Sequence, residues 1–498
     1  MKSIVLRSNI LIGIIGSVWI AIIQIAVIPV YISVLGIEAY GLIALHVTLQ
    51  GVLQTLDLGL SPAVNRAVAR NIATGKSAKS GVLVYSLQYI YGAIAILIGV
   101  VFWFVAHNYA EQWINAEVLS KETIRNSFVI MGFVIAVRWP IALFQSVLIG
   151  AQKLAIASYA NVLMTTLSAL GAIVVINFIS STLTAFFIYH LLIGCLHMLT
   201  MYWLAWRVLG KVEMKYNSNV FKDIWKFSLG AGVIAMSSLA FTQLDKLVLS
   251  KMLGIKDLGI YMLGAVISGS LYVLIRPIFN VIYPKLTGYL ESNSSTELLV
   301  LYKNGTQLLS VILFTVAFTV TVYSEQILLT WTGDQHLSTL AAPVVGFLIL
   351  GSALHGVMHF PFALQLAHGN TKIAVFINTL LIVIVIPLLI TLISILGLVG
   401  AALAWFFSQV IYMLLGTWMT HRIMLPGEGI SWIIKDVLLP LMLTGVLVYV
   451  SSVIILSNTN NIYTQIIFAV STIGIVPIFL IGVIPSLRNS AKMIQIWT

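Results

Sequence analysis

The chain has 498 residues, of which 60% are hydrophobic and only 8% charged, whereas soluble domains carry about 25% charged residues. With a mean hydropathy of +1.06 the apolar excess exceeds what one core can hide, because the surface itself would have to be largely hydrocarbon, and a water-soluble fold is excluded. The formal net charge of +11 does not point to nucleic acid, since most basic residues lie in short connectors between apolar runs, where they read as topology signals.

A bilayer span takes about 20 apolar residues, so at roughly 35 residues per span and connector the chain holds about 14 helices and leaves no large extramembrane domain. In chain order the runs predict spans at Ile10 to Leu35, Tyr40 to Ala63, Gly81 to Ala106, Asn126 to Ile149, Leu154 to Phe178 and Leu183 to Trp206. The first is expected to be retained as a helix, because it exceeds a signal-peptide core and lacks a small-residue cleavage site. A basic connector follows, from Arg207 to Lys226, expected to lie on anionic headgroups. Then come Phe227 to Leu253, Leu258 to Tyr283, Asn304 to Leu329, Leu340 to Ala367, Ile373 to Ile395 and Leu398 to Thr420, and finally Val437 to Leu456 and Ile462 to Ile484. The even number places both termini on one side. With the N-terminus inside, only Lys121, Arg125, Lys251 and Lys256 fall in outer connectors, so both termini are expected to be cytoplasmic. The single cysteine, Cys195, excludes an internal disulfide and a cysteine-based metal cluster.

The chain repeats itself. Leu35-Gly36-Ile37 with Gly41 recurs as Leu253-Gly254-Ile255 with Gly259, a shift of 218 residues. Gly150, Lys153 and Ala155 recur as Gly369, Lys372 and Ala374 at a shift of 219, and Arg138-Trp139-Pro140-Ile141-Ala142-Leu143 as His359-Phe360-Pro361-Phe362-Ala363-Leu364 at 221. Each match alone is weak; their agreement in order and shift carries the inference. Six helices per repeat make the copies parallel, as in transporters that rock two halves about a central site. The expected architecture is therefore an all-α polytopic membrane protein of two repeat-related six-helix lobes, residues 1–212 and 227–422, plus a trailing helix pair in 423–498. Prolines inside spans, Pro29, Pro140, Pro277, Pro361 and Pro387, permit bends.

The segments LGIEAYGLIAL (Leu35 to Leu45), LDLGLSPAVNRAVAR (Leu56 to Arg70) and QLDKLVLSKMLGIKDLGIY (Gln243 to Tyr261) resemble the O-antigen flippase branch of polysaccharide-biosynthesis transporters, within the multidrug/oligosaccharidyl-lipid/polysaccharide exporter superfamily. The resemblance covers essentially the whole chain. It implies a bacterial inner-membrane flippase that moves an undecaprenyl-pyrophosphate-linked oligosaccharide, the repeat unit of O-antigen or a related surface polysaccharide, from the cytoplasmic to the periplasmic leaflet. It also implies H+ or Na+ as coupling ion, and polysaccharide polymerase and chain-length proteins as partners. No nucleic acid or cofactor is expected.

Ionisable residues inside spans are costly and face a wet cavity or a partner. Arg138 lies midway along the fourth span, and His359, its repeat equivalent, in the tenth; together they make a cationic pair, one from each lobe. An arginine fork matches phosphate oxygens in two bonds, so Arg138 is the first candidate for a pyrophosphate contact. The alternative is an arginine that holds a carbonyl freed near Pro140. His355 lies one turn before His359 and on the same face. The pair suits proton coupling or a neutral hydrogen-bonded role, and without a third ligand no metal site is expected. Asp57 shifted by 219 lands on Arg276, which suggests an ion pair that gates the inner mouth. The alternative is that Asp57 pairs with Arg66 or caps a helix end. Asp245 and Lys246 are about 100° apart on the helical wheel and so are not expected to satisfy one another. One of them faces the cleft for coupling or load contact, or both serve a structural ion pair with another helix. Lys246 and Arg276 complete the candidate load contacts.

No GxxxxGK[ST] loop, HExxH motif or Ser-His-Asp arrangement occurs, and an enzyme is not expected. The competing readings are a cation antiporter for drugs or metabolites of the same superfamily and a membrane-embedded polysaccharide polymerase or ligase. The first usually relies on acidic cavity residues, the second on a large outer loop.

Overall fold

The computed structural model describes residues 15–55, 57, 59–75, 77–210, 216–217, 243–370 and 372–483. Every described element is a helix, as hydrocarbon demands: without water to bond, a spanning backbone must satisfy its own N–H and C=O groups. Eleven of these helices are long and apolar enough to cross a membrane, and the chain is a multi-pass membrane protein. It divides at Gly259 into two compact units.

In the first unit, α1 (Ile15–Leu35) turns at Gly36 into α2 (Ile37–Thr55), followed by α3 (Leu60–Ala73) and α4 (Ser77–Asn108). The expected second span, Tyr40 to Ala63, is thus not one helix. Gly59 holds φ at +75°, a left-handed conformation that a right-handed helix does not pass through. Beyond it α3 is amphipathic, with Arg66 and Arg70 among its polar residues. Next come α5 (Lys121–Arg138), α6 (Ile141–Gly150), α7 (Leu154–Val174), whose last turn widens through Ile179, and α8 (Leu183–Leu209). Residues 243–252 form α9. The core joins α3, α4, α6 and α8 through Val64, Leu87, Tyr91, Val147 and Met201.

Packing within a bilayer gains little from hydrophobicity, since lipid tails are as apolar as leucine, and depends on close approach and polar contacts. Two examples fix the first unit. A Cβ on Gly41 would lie 2.2 Å from the carbonyl oxygen of Ile255, and one on Gly259 would lie 2.7 Å from that of Ile37. Glu38, buried in α2, accepts the backbone N–H groups of Glu117, Val118 and Leu119 at 2.8, 3.0 and 2.9 Å, tying the loop before α5 to the start of α2.

Helix α10 (Ile255–Gly269) leads into the second unit, which continues with α11 (Tyr272–Glu291), α12 (Ser295–Val322), α13 (Ser324–Thr332), α14 (Gln335–Val357) and α15 (His359–Ala367). Helix α16 (Lys372–Met424) contains the expected eleventh and twelfth spans, joined at Gly397 with φ +56° and ψ −130°. A wide π-helical segment, Trp432–Leu438, then opens α17 (Leu439–Asn458), and α18 (Ile462–Val483) follows. Ile275, Tyr302, Phe314, Ile349, Phe360 and Trp432 anchor this unit's core. The basic connector from Arg207 to Lys226, most of the expected seventh span and the residues after 483 lie largely or wholly outside the described residues.

Both repeats break one span close to the equivalent proline. Lys121–Gly150 is interrupted where α5 ends at Arg138, two residues before Pro140. Gln335–Ala367 is interrupted where α15 begins at His359, two residues before Pro361. In each case the proline lacks the N–H that would continue the ladder, and the ionisable residue sits at the interruption.

Candidate functional site

Arg138 is placed by this break. It packs beside Gly194 of α8, where a Cβ would stand 3.5 Å from both its Cγ and its Nε; the missing side chain leaves the guanidinium its room. Nε of Arg138 is fully buried without a hydrogen-bond partner, and no carboxylate pairs with it among the described residues. Among the described residues no bond joins Arg138 to a carbonyl near Pro140. An arginine fork with no bound acceptor inside a span is costly and is suited to an anion that arrives from elsewhere.

Three histidines lie within electrostatic reach of this guanidinium, His46, His190 and His197. His190, Gly194 and His197 recur at helical spacing and so share one face of α8. His190 bonds the Phe186 carbonyl at 3.0 Å and stacks on the Phe186 ring at 4.1 Å, and His197 Nε2 meets Asn161 Oδ1 at 3.2 Å. His46 is buried, edge-on to Phe187 at 5.5 Å, with neither ring nitrogen partnered. Nothing in the sequence singles out these histidines one at a time. The signal that could have joined them was the α8 spacing about a glycine. Arg138's chain neighbours Val137 and Pro140 help line an open apolar groove of about 480 Å³, with Gly99, Trp103, Phe133 and Met198, whose walls include the exposed rings of Trp103 and Phe133; Arg138 itself is not among its lining residues.

In the second unit His355 and His359 come together as expected, with rings 5.4 Å apart. His355 Nδ1 meets the Tyr272 hydroxyl at 2.5 Å, and His359 Nδ1 bonds the His355 carbonyl at 3.2 Å. Aromatic rings of Tyr272, Phe279 and Tyr412 surround the pair. Arg276, one turn beyond Tyr272 on α11, is exposed and within electrostatic reach of His359.

Asp57 takes the local role. Its Oδ2 accepts the Ser61 N–H at 2.7 Å and its Oδ1 accepts the hydroxyl of fully buried Tyr91, so it satisfies an otherwise free donor at the start of α3. One expectation is corrected: Asp245 and Lys246 do bond one another, Oδ1 to Nζ at 3.3 Å. A 100° offset on the wheel separates stiff side chains, but the four-carbon lysine stem curls back over its own helix.

Solved structures with the same fold are transporters. The lipid II flippase MurJ in an inward closed conformation matches 95% of this chain and 100% of its own at a TM-score of 0.71 and 16% identity. A multidrug resistance MATE family transporter of the MOP superfamily, inward-facing, matches 82% and 96% at 0.70 and 13%. A MOP superfamily transporter from Pyrococcus furiosus, whose binding pocket is described as reversed in polarity, matches 84% and 96% at 0.53 and 14%. No curated protein matches by sequence. The fold is that of the MOP superfamily transporters. The sequence matches the polysaccharide biosynthesis protein family over residues 6–290, more than half of its length, and the chain belongs to that family.

Proposed function

We propose that the chain is a flippase for a lipid-linked oligosaccharide carried on undecaprenyl pyrophosphate, the repeat unit of O-antigen or a related surface polysaccharide. It would move this load from the cytoplasmic to the periplasmic leaflet of a bacterial inner membrane, with both termini cytoplasmic. The observation that carries the reading is Arg138: a guanidinium inside a span, without a carboxylate partner among the described residues and with its Nε buried and unpartnered. A pyrophosphate is the part of such a load that hydrocarbon rejects, and a planar fork meets it in two charge-assisted bonds. Family membership supplies the polysaccharide context. His359, Arg276 and Lys246 are the further load contacts, and His355 and Asp245 the coupling candidates.

The test is a deletion strain. Loss of the gene is expected to leave lipid-linked repeat units on the cytoplasmic leaflet and to remove surface polysaccharide without altering drug sensitivity. Arg138→Lys and Arg138→Gln are both expected to fail in complementation while reaching the membrane at normal levels. Unchanged surface polysaccharide together with new drug sensitivity would instead favour the antiporter.

A further inference from the structure

Helix α11 carries a mixed polar and aromatic face inside a span. Arg276, Phe279, Asn280 and Tyr283 recur at i, i+3, i+4 and i+7 and so share one side of the helix. Arg276 and Asn280 are exposed, while Phe279 and Tyr283 are half-buried against the core of the second unit. A cation and an amide on the open side of a span are costly in hydrocarbon and belong on a wet cavity or a ligand. The rings make a shelf beside them. Phe279 lies nearly parallel to Tyr283, at 10° and 6.0 Å between centroids, and to Phe362 of α15, at 16° and 6.0 Å. His359 stands edge-on to Phe279 at 5.7 Å.

Pro284 adds an acceptor to this face. It lies within the helix and has no N–H to return to the Asn280 carbonyl, four residues earlier, so that carbonyl lacks its ladder donor. The Asn280 side chain offers two further donors and an acceptor. The repeat does not impose this chemistry. At the 219-residue shift that relates Arg276 to Asp57, Phe279 and Tyr283 fall on Leu60 and Val64, which the first unit buries in its core. The aromatic and amide character belongs to the second copy alone.

The negative face of an aromatic ring attracts the polarised C–H groups on the apolar side of a sugar, and amide, carbonyl and guanidinium groups match its hydroxyls. A planar organic cation would also suit the rings, but Arg276 repels it and no carboxylate occurs between Tyr272 and Thr287. A hydrocarbon tail would leave the amide and the guanidinium unpaired.

We propose that this face of α11, with Phe362, binds the oligosaccharide of the load, Phe279, Tyr283 and Phe362 as the stacking shelf and Asn280 as the hydroxyl contact. The assignment rests on the flippase reading, and its test separates the two. Binding of two lipids to the purified full-length protein in detergent is measured by native mass spectrometry: undecaprenyl pyrophosphate, and the undecaprenyl-pyrophosphate-linked repeat unit extracted from membranes of the host. The wild type is expected to hold the sugar-bearing lipid at least tenfold more tightly. Phe279→Leu and Asn280→Leu are expected to bring it down to the affinity of the bare lipid, which itself stays unchanged. Asp334→Asn, which alters an exposed helix-capping carboxylate elsewhere in the unit, is expected to keep the wild-type preference. Equal binding of the two lipids by the wild type, or an undiminished preference in Asn280→Leu, overturns the sugar site and leaves the flippase reading standing. Binding of neither lipid overturns that reading and the sugar site with it. Should Phe279→Leu fail to elute as folded protein, Asn280→Leu decides, because its side chain is exposed.

Discussion

Gly41 and Gly259, equivalent residues of the internal repeat, meet each other's helices reciprocally: Gly41 against the carbonyl of Ile255, Gly259 against that of Ile37 and against the Gly41 nitrogen. Ile37 and Ile255 are themselves repeat equivalents, so the contact is isologous in the manner of a two-fold. Gly41→Ala puts a methyl 2.2 Å from a backbone oxygen, which no rotamer change relieves. Overpacking of this kind costs about 1–3 kcal/mol. Gly41→Ala and Gly259→Ala are expected to lower the thermal midpoint in detergent and to abolish complementation. Gly92→Ala, in α4 with nothing within 4 Å of the new carbon among the described residues, is expected to be silent.

At Gly194 the expectation is graded. A Cβ there stands 3.5 Å from Arg138, ordinary contact distance, so Gly194→Ala should be tolerated. Gly194→Leu fills the space of the guanidinium and is expected to reduce surface polysaccharide as severely as loss of Arg138, with a midpoint within a few degrees of wild type. A full-strength Gly194→Leu variant would separate Arg138 from transport.

The bond between Tyr272 and His355 invites a double-mutant cycle. Tyr272→Phe strips the hydroxyl from a buried imidazole nitrogen, and an unsatisfied buried polar atom costs about 1–3 kcal/mol. His355→Leu leaves the hydroxyl unsatisfied in turn. The double variant is expected to lose less than the sum of the two singles, the mark of a direct partnership; additive losses in thermal midpoint would mean that the two do not act on one another.

Asp57 offers a test between a cap and a gate. Its carboxylate is engaged by Ser61 and Tyr91, so Asp57→Ala is expected to destabilise by about 0.5–2 kcal/mol, the usual cost of losing a helix cap. Asp57→Asn, which keeps an acceptor oxygen, should lose less. Exchange of charges, Asp57→Arg with Arg276→Asp, is expected to restore no transport; recovery in the double variant would show that the two pair during the cycle.

Lys303 and Glu428 form a short ion pair, but their side chains are 26% and 31% exposed. Pairs this wet are worth about 0–1 kcal/mol. Glu428→Gln is expected to shift the midpoint by no more than a degree or two, and less still at high salt.

Much of this architecture is legible in the sequence because lipid imposes a blunt rule: long apolar runs span, and basic connectors punctuate them. The repeat is legible through Arg138-Trp139-Pro140 and His359-Phe360-Pro361, where proline forces the same interruption twice. What escapes is set by geometry finer than composition. The break at Gly59 hides in an apolar stretch and depends on one left-handed residue. The curl of Lys246 onto Asp245 depends on a flexible stem that a helical wheel treats as rigid. His190 and His197 gain meaning from Gly194 between them, which leaves no chemical mark of its own.

The wide turn at Trp432–Leu438 also sets the azimuth of everything after it. A π-helical turn holds about one residue more than an ordinary one, so excising one residue there would restore ordinary winding and leave Pro440, Thr444, Val448 and Ser452 on their buried stripe, with Met442, Val446 and Tyr449 still facing outward. A single-codon deletion within the turn is thus expected to be less damaging than the same deletion inside α17, where the loss of one residue swings all that follow by about 100°.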